Sequence, residues 1–349
     1  MSISAEKRRS RILDAVRSLG TVRVVALAER LDLPAVTVRR DLAALAESGL
    51  VHRSHGTVSS LAAQLSPQAG PTLGLLVPTV SQYFDEVITG ARRAAADAGA
   101  QVILGISSYD ASADQSQVET LLDSGAQALI LTPNWKPLDD TREHGWVADL
   151  PVPTILLERR PTAGSPAFAV DSVSSDHHYG ALLALRHLAA LGHERVLLAA
   201  RLDTWTALKV RSGYAEGCAL LGMTAEPVVD VTDSFAHAGR AAATVVDAVK
   251  RGVRAVLVHN DQDAIQLIPL LRTKGLSVPH DVALVSYDDV VASLGAPPLT
   301  AVAPPKRAVG EAAVRMALGR FGVEASPVQH LELLPELVVR GSCGGASAV

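Results

Sequence analysis

The chain has 349 residues, 48% of them apolar and 19% charged, with a net charge of −4. That balance suits a soluble globular protein with a large buried core, and the length suggests two or three domains. No segment reaches about 18 uninterrupted apolar residues, and residues 1–11 are charged from Glu6 onward, so neither a transmembrane helix nor a signal peptide is expected. The expected location is therefore cytoplasmic. Cys218 and Cys343 lie far apart and form no metal-spaced pair, which reads as two free thiols in a reducing compartment. The charge is uneven: residues 1–60 hold ten Lys or Arg against six acids, so a +4 head sits on a −8 remainder. A basic head on an acidic body fits a nucleic-acid-binding head.

The first sixty residues read as three helices and a small hairpin. Ile12, Leu13, Val16 and Leu19 recur at helical spacing over residues 5–18, and Gly20 closes that helix. A short second helix spans residues 24–31, Asp32-Leu33-Pro34 turns the chain, and a third helix runs from about Pro34 to Glu47. Residues 50–53 and 57–58 then form a wing around Gly56. At 100° per residue, Val38, Leu42 and Leu45 share one stripe of the third helix and should face the core. Arg40 points almost opposite, among Val36, Thr37, Ala43 and Ala44. One long cation among small side chains lets a helix approach the floor of a major groove, where a guanidinium can bond a guanine edge. Arg39 points sideways, toward a DNA backbone. Asp41 lies nearer the core stripe and should brace an arginine. Arg53 and His55 on the wing would reach adjacent phosphates or the minor groove.

These residues resemble the N-terminal domain of the DeoR family of bacterial regulators. The resemblance rests on Arg8/Arg9 with Ile12-Leu13, on Leu27-Ala28-Glu29-Arg30-Leu31, and on Thr37-Val38-Arg39-Arg40-Asp41-Leu42. It continues through Gly49-Leu50, Arg53 and His55-Gly56. The chain departs from that pattern at Asp32 (a turn glycine in the family), Pro34 (a capping serine) and Thr57 (a wing glycine). The resemblance implies a winged helix-turn-helix at residues 1–58, contacting DNA through Val36, Thr37, Arg39, Arg40, Arg53 and His55.

From Thr72 onward, apolar runs alternate with helical stretches. The runs are residues 73–77, 102–106, 128–131, 154–157, 196–199, 255–258 and 282–286. Nearly continuous apolar strands separated by helices imply an α/β fold with parallel sheets covered on both faces. Ligands in such folds bind beyond the carboxyl ends of the strands. That directs attention to residues 79–84, Glu158-Arg159, residues 202–205, Asn260-Asp261 and Asp288-Asp289. No phosphate loop, no G-x-S-x-G and no zinc-spaced His/Cys group occurs, so no enzyme, metal site or cofactor is expected. The His177-His178 pair at a helix start is a poor metal site, because neighbouring helix positions diverge by 100°.

Residues 72–341 resemble the effector domain of LacI-family repressors. The resemblance is carried by Leu73-Gly74-Leu75-Leu76-Val77-Pro78 with Tyr83-Phe84, by residues 153–159, by His187 to Val196, and by Arg211-Ser212-Gly213-Tyr214. Asn260-Asp261-Gln262, residues 278–289 and Pro298-Leu299-Thr300 complete it. It implies a winged helix-turn-helix head followed by a two-lobed, doubly wound, periplasmic-binding-protein-like domain. Lobe one would hold about residues 72–169 and 291–325. Lobe two would hold about 170–290 and the C-terminal strand, followed by a tail at 342–349. By the same resemblance Arg211, Asn260 and Asp288 match positions that bond effector hydroxyls, Tyr83 and Phe84 an aromatic site, and Glu158 an acidic cleft position. Trp205 and Phe235 join that set, with Trp205 standing where some members use a polar contact. Residues 59–71 read as a linker, with Leu61-Ala62-Ala63-Gln64-Leu65 as an alternative hinge helix. The expectation is a homodimeric transcription regulator, a repressor, that binds an operator in double-stranded DNA and responds to a small carbohydrate-like effector. A solute-binding protein and a cytoplasmic sugar-processing enzyme are the alternatives.

Overall fold

The computed structural model describes residues 8–9, 11–12, 15–16, 21–31, 33–47, 51–54, 57–60, 70–80, 82–136, 141–231, 234–322 and 327–345. The chain divides into two compact units, Met1–Gly70 and Pro71–Val349. The candidate hinge helix at 61–65 lies outside the described residues.

In the first unit, the helical residues around Ile12 and Val16 pack with α1 (Val24–Leu31) and α2 (Ala35–Glu47). A three-stranded antiparallel sheet completes it, in the order β1 (Thr21–Arg23), β3 (Thr57–Ser60), β2 (Val51–Ser54). The strand β1 is not visible in the sequence pattern. It forms because the outer edge of β3 is open and Val22 fits opposite Val58. The stripe expected on α2 is the buried one: Val38 and Leu42 are fully enclosed and Leu45 nearly so, with Val24, Leu27, Val51 and Val58 around them. Pro34 supplies no side-chain cap, but its carbonyl accepts from the N–H groups of Thr37 and Val38, which starts the helix.

Asp41 is buried and braces arginines of the first helical segment. Arg8 donates from Nε at 2.5 Å and from Nη2 at 3.2 Å, and Arg9 from Nε at 3.5 Å. The hydrogen bond from Arg8, against the opposing effect of burial, holds the Asp41 carboxyl below its ordinary value. A lowered folded-state value means that the contribution to stability is full above the unfolded aspartate value. It is lost as pH falls through the folded one. The arginines are partly solvated, so solvent screening keeps the worth of the clamp small. Asp41→Asn should therefore speed amide exchange along α2 about fivefold at neutral pH. Unchanged exchange would show that the clamp holds nothing.

The second unit contains two parallel sheets. The first has the order β15-β8-β7-β6-β4-β5, made of β4 (Thr72–Val77), β5 (Gln101–Ile106), β6 (Ala128–Leu131), β7 (Thr154–Leu157), β8 (Asp171–Ser175) and β15 (His330–Leu333). Helices α3 (Gln82–Asp97) and α4 (Ala111–Asp123) join its strands. The second has the order β10-β9-β12-β13-β14-β16, with β11 (Val229–Asp230) also on β9 (Arg195–Ala200). Its other members are β10 (Thr224–Ala225), β12 (Ala255–Val258), β13 (Ala283–Tyr287), β14 (Thr300–Ala303) and the antiparallel edge strand β16 (Glu336–Val338). Helices α5 (His177–Ala190), α6 (Trp205–Leu221), α7 (Ser234–Lys250) and α8 (Asp261–Thr273) cover it. The last helix, α9 (Lys306–Gly319), returns to the first lobe and packs on α3. That contact is backbone against backbone. A Cβ at Gly90 would stand 2.1 Å from the Arg307 carbonyl oxygen, and one at Gly310 2.1 Å from that of Val87.

The lobe boundaries differ from those read in the sequence. β8 belongs to the first sheet, paired with β7 and β15, and β14 to the second, paired with β13 and β16. The chain therefore crosses between lobes at Asp176, at Pro304-Pro305 and at Leu334-Pro335. The sequence Asp-Ser-Val-Ser-Ser of β8 carries no apolar run, yet all five residues are buried. Its polar atoms are satisfied internally, as at Asp171, which accepts Arg320 Nε at 2.6 Å and the Gln329 N–H at 2.7 Å. This is how a polar segment becomes an interior strand.

Candidate functional site between the lobes and on the head

The strand ends of the two sheets meet at the crossovers. A cavity of 280 Å³ opens there, lined by Glu158, Arg160 and Ser175 from the first lobe and by His177, Trp205 and Lys209 from the second. Beneath it runs a buried hydrogen-bond network that spans both lobes. Glu158, just past β7, accepts the Tyr83 hydroxyl at 2.9 Å, the Ser175 hydroxyl at 2.9 Å and the Ser175 N–H at 3.1 Å. Its other neighbour is His177 of the second lobe, whose Nε2 lies 3.4 Å from Oε2. Burial alone would raise the Glu158 carboxyl. The hydrogen bond and charge of His177, with the Ser175 and Tyr83 donors, outweigh burial and hold it below its ordinary value. On its far side, His177 Nδ1 is 3.3 Å from the hydroxyl of Tyr287, a fully buried residue at the end of β13.

A second tie crosses the lobes at Lys306, the first residue of α9. Its ammonium donates to the Asp288 carbonyl and lies 5.6 Å from the centre of the Tyr83 ring. Asp288 follows β13 with φ of 87°, in the left-handed region, so its backbone turns sharply out of the strand. Its carboxyl accepts no hydrogen bond from the described residues, and burial raises it above the ordinary aspartate value. An acceptor held in this way is available to a ligand hydroxyl.

The residues expected at the effector site separate into groups. Trp205 lines the cavity. It starts α6 in the second lobe yet packs on the first-lobe cluster that contains Trp135 and Val147, and its indole N–H is buried without an acceptor among the described residues. Tyr83 and Glu158 are at the lobe junction, but their polar atoms are committed to each other and to Ser175 and His177. Arg211 turns its guanidinium onto the end of β9, donating to the carbonyls of Arg201 at 2.8 Å and Ala200 at 2.5 Å. Asn260 caps α8, its side-chain oxygen accepting from the N–H groups of Gln262 and Asp263. Phe84 is buried beside Val87 and Ile88 of the first-lobe core, with its ring edge-on to that of Tyr83. The side chain of Phe235 lies outside the described residues.

Three further groups belong to the site. Lys306 follows two prolines and carries no motif, so nothing in the sequence marks it. In the sequence His177 reads only as half of a poor metal-binding pair, whereas in the fold it bridges Glu158 and Tyr287. Arg159, the neighbour of Glu158, bonds the Pro133 carbonyl at 2.7 Å and the Glu158 carbonyl at 2.8 Å, and burial lowers it to about 10.

On the head, Val36 is 74% exposed and Arg39 and Arg40 are exposed, while Thr37 is half-buried. The outward face of α2 thus carries the groups expected to meet DNA. Arg53 lies on β2, with its side chain outside the described residues, and His55 itself lies outside the described residues. Among the described residues no helix is long and apolar enough to cross a membrane.

Residues 8–64 match the DeoR-like helix-turn-helix domain and residues 185–343 the periplasmic binding protein-like domain. An HTH-type transcriptional regulator, reg1 of Streptomyces lividans, is 30% identical over 252 residues, covering 67% of this chain and 69% of the relative. The ribose operon repressor of Escherichia coli strain K12 is 27% identical over 295 residues, covering 81% of this chain and 86% of the relative. The structure of the lac repressor dimer bound to operator and the anti-inducer ONPF aligns with a TM-score of 0.67 and 25% identity, covering 81% of this chain and 97% of that one. With its exposed helix-turn-helix face and a cavity lined by both lobes, the chain belongs to the LacI-type family of transcription regulators and carries a DeoR-like winged head.

Proposed function

We propose that this regulator is a repressor that binds operator DNA as a homodimer in the cytoplasm, and that a small carbohydrate-like effector in the interlobe cavity sets its operator affinity. The cavity carries the reading, because its walls come from both lobes. A ligand that bridges those walls favours one lobe arrangement over another. Only such differential binding can change the affinity of the head for DNA. Hydroxyl groups suit the available chemistry: the Asp288 carboxyl accepts, and the Trp205 indole donates. No chemical step on the effector is part of this function.

The reading assigns operator contact to Val36, Thr37, Arg39, Arg40, Arg53 and His55, with Arg40 closest to the base edges. It keeps Asp288, Trp205, Arg211 and Asn260 as effector contacts, the last two through whatever donors their protein bonds leave over. Arg40→Ala should weaken operator binding by about 1–3 kcal/mol while leaving the unfolding temperature unchanged, since the side chain is exposed. A gel-shift titration on DNA fragments selected by the wild-type protein measures it. Equal affinity of mutant and wild type would remove Arg40 from the contact surface.

A further inference from the structure

We infer that His259 is a specificity-determining contact of the interlobe site, its imidazole bonding hydroxyl groups of the effector. The inference rests on the proposed effector function.

The side chains of β12 alternate between the two faces of the second sheet. Val256 and Val258 pack under α7 and α8, whereas Ala255 and Leu257 face the cluster that holds Tyr214 and Tyr287. His259 continues the second set, one residue beyond the strand, and its N–H donates to the Ala199 carbonyl at 2.9 Å. Its ring therefore lies at the carboxyl end of the sheet, where ligands of doubly wound folds bind. The ring centre is 5.6 Å from that of Tyr287, which in turn touches His177 of the junction network.

The ring is 4% exposed, and neither nitrogen has a hydrogen-bond partner among the described residues. Buried polar groups are nearly always paired, so an imidazole with two open positions calls for a partner. Burial, reinforced by the nearby guanidinium groups of Arg201 and Arg211 and opposed by its own backbone, lowers it to about 3. The imidazole is thus neutral, with one N–H donor and one lone-pair acceptor on different edges. A polyhydroxylated ligand can satisfy both. A ligand lacking the matching hydroxyls leaves them open, which is a strong basis for rejection. Asn260 and Asp288 stand at the same strand ends, so His259 extends a set of hydroxyl-binding groups.

Replacement separates a ligand contact from a structural histidine. Full-length His259→Phe and His259→Gln are compared with wild type by thermal unfolding, first without sugar and then with D-ribose and a series of neutral pentoses, hexoses and disaccharides. Without sugar, His259→Phe is expected to unfold at the wild-type temperature or above, because it removes two unpaired buried nitrogens. With whichever sugar stabilises wild type, the Phe variant should need at least about tenfold more for half the shift. The Gln variant, which keeps a donor and an acceptor, should need less of an increase. A lower unfolding temperature of His259→Phe without sugar would overturn the inference, since the ring would then be held by the protein or by an ordered water. A wild-type dose response in that variant would overturn it too, while leaving the effector reading intact. Failure of every sugar to stabilise wild type would remove the effector reading and this contact with it.

Discussion

Replacing Glu158 by glutamine should cost the two-lobed unit about 3–5 kcal/mol, the loss typical of breaking a buried charge network from one side. Both oxygens of this carboxylate are committed, to the Tyr83 and Ser175 hydroxyls, to the Ser175 N–H and to His177. An amide offers one acceptor in place of two and turns N–H groups toward existing donors. Glutamine is the informative variant because it preserves size. Alanine adds a second cost, since it empties the buried volume that the longer side chain fills. The pH dependence has a definite sign. The Glu158 carboxyl titrates below its unfolded value. Its contribution is therefore complete above the unfolded glutamate value and disappears as pH falls through the folded one. Urea unfolding at neutral pH reads the loss. A change under about 1 kcal/mol would show that the junction network does not hold the lobes.

The second large effect concerns signalling. Asp288→Asn should leave operator affinity without effector near wild type while weakening the effector response about ten- to a hundredfold. That range corresponds to losing one or two charge-assisted hydrogen bonds. Asparagine is preferred to alanine because φ of 87° tolerates it better. Lys306 bonds the Asp288 carbonyl, not the carboxyl, so this cross-lobe tie survives the substitution. The change thus removes the charge and one of two acceptor oxygens and spares the scaffold. A gel shift across an effector titration tests it, and normal induction by the variant would remove Asp288 from the effector site.

Much of this architecture was legible in the sequence, for identifiable reasons. The stripe Val38, Leu42 and Leu45 obeys helical periodicity, and Asp41 beside it had nowhere to go but an arginine. The apolar strands β4, β6, β7, β12 and β13 announce themselves because parallel strands covered on both faces need apolar residues throughout. The strands β8 and β15 did not. β8 replaces apolar side chains with internally bonded Ser and Asp, and β15 alternates because it is an edge strand. The lobe boundaries moved for the same reason.

At the candidate site, sequence points to polar residues at the strand ends but cannot tell a free polar group from a committed one. Glu158 and Asp288 are both acids just after a strand. Only the fold shows that Glu158 is enclosed by donors while the Asp288 carboxyl is not. Lys306 and His259 escaped notice because their roles arise from register: one follows a crossover, and the other sits one step past a strand on the face toward Tyr287.

The central claim is that one cavity ligand and one DNA face are thermodynamically linked. The direct measurement is fluorescence anisotropy of a labelled operator fragment titrated with the full-length protein, with and without the sugar that raises its unfolding temperature. The linkage predicts a change in DNA dissociation constant of at least about fivefold, in either direction. Identical titrations at saturating sugar would contradict it.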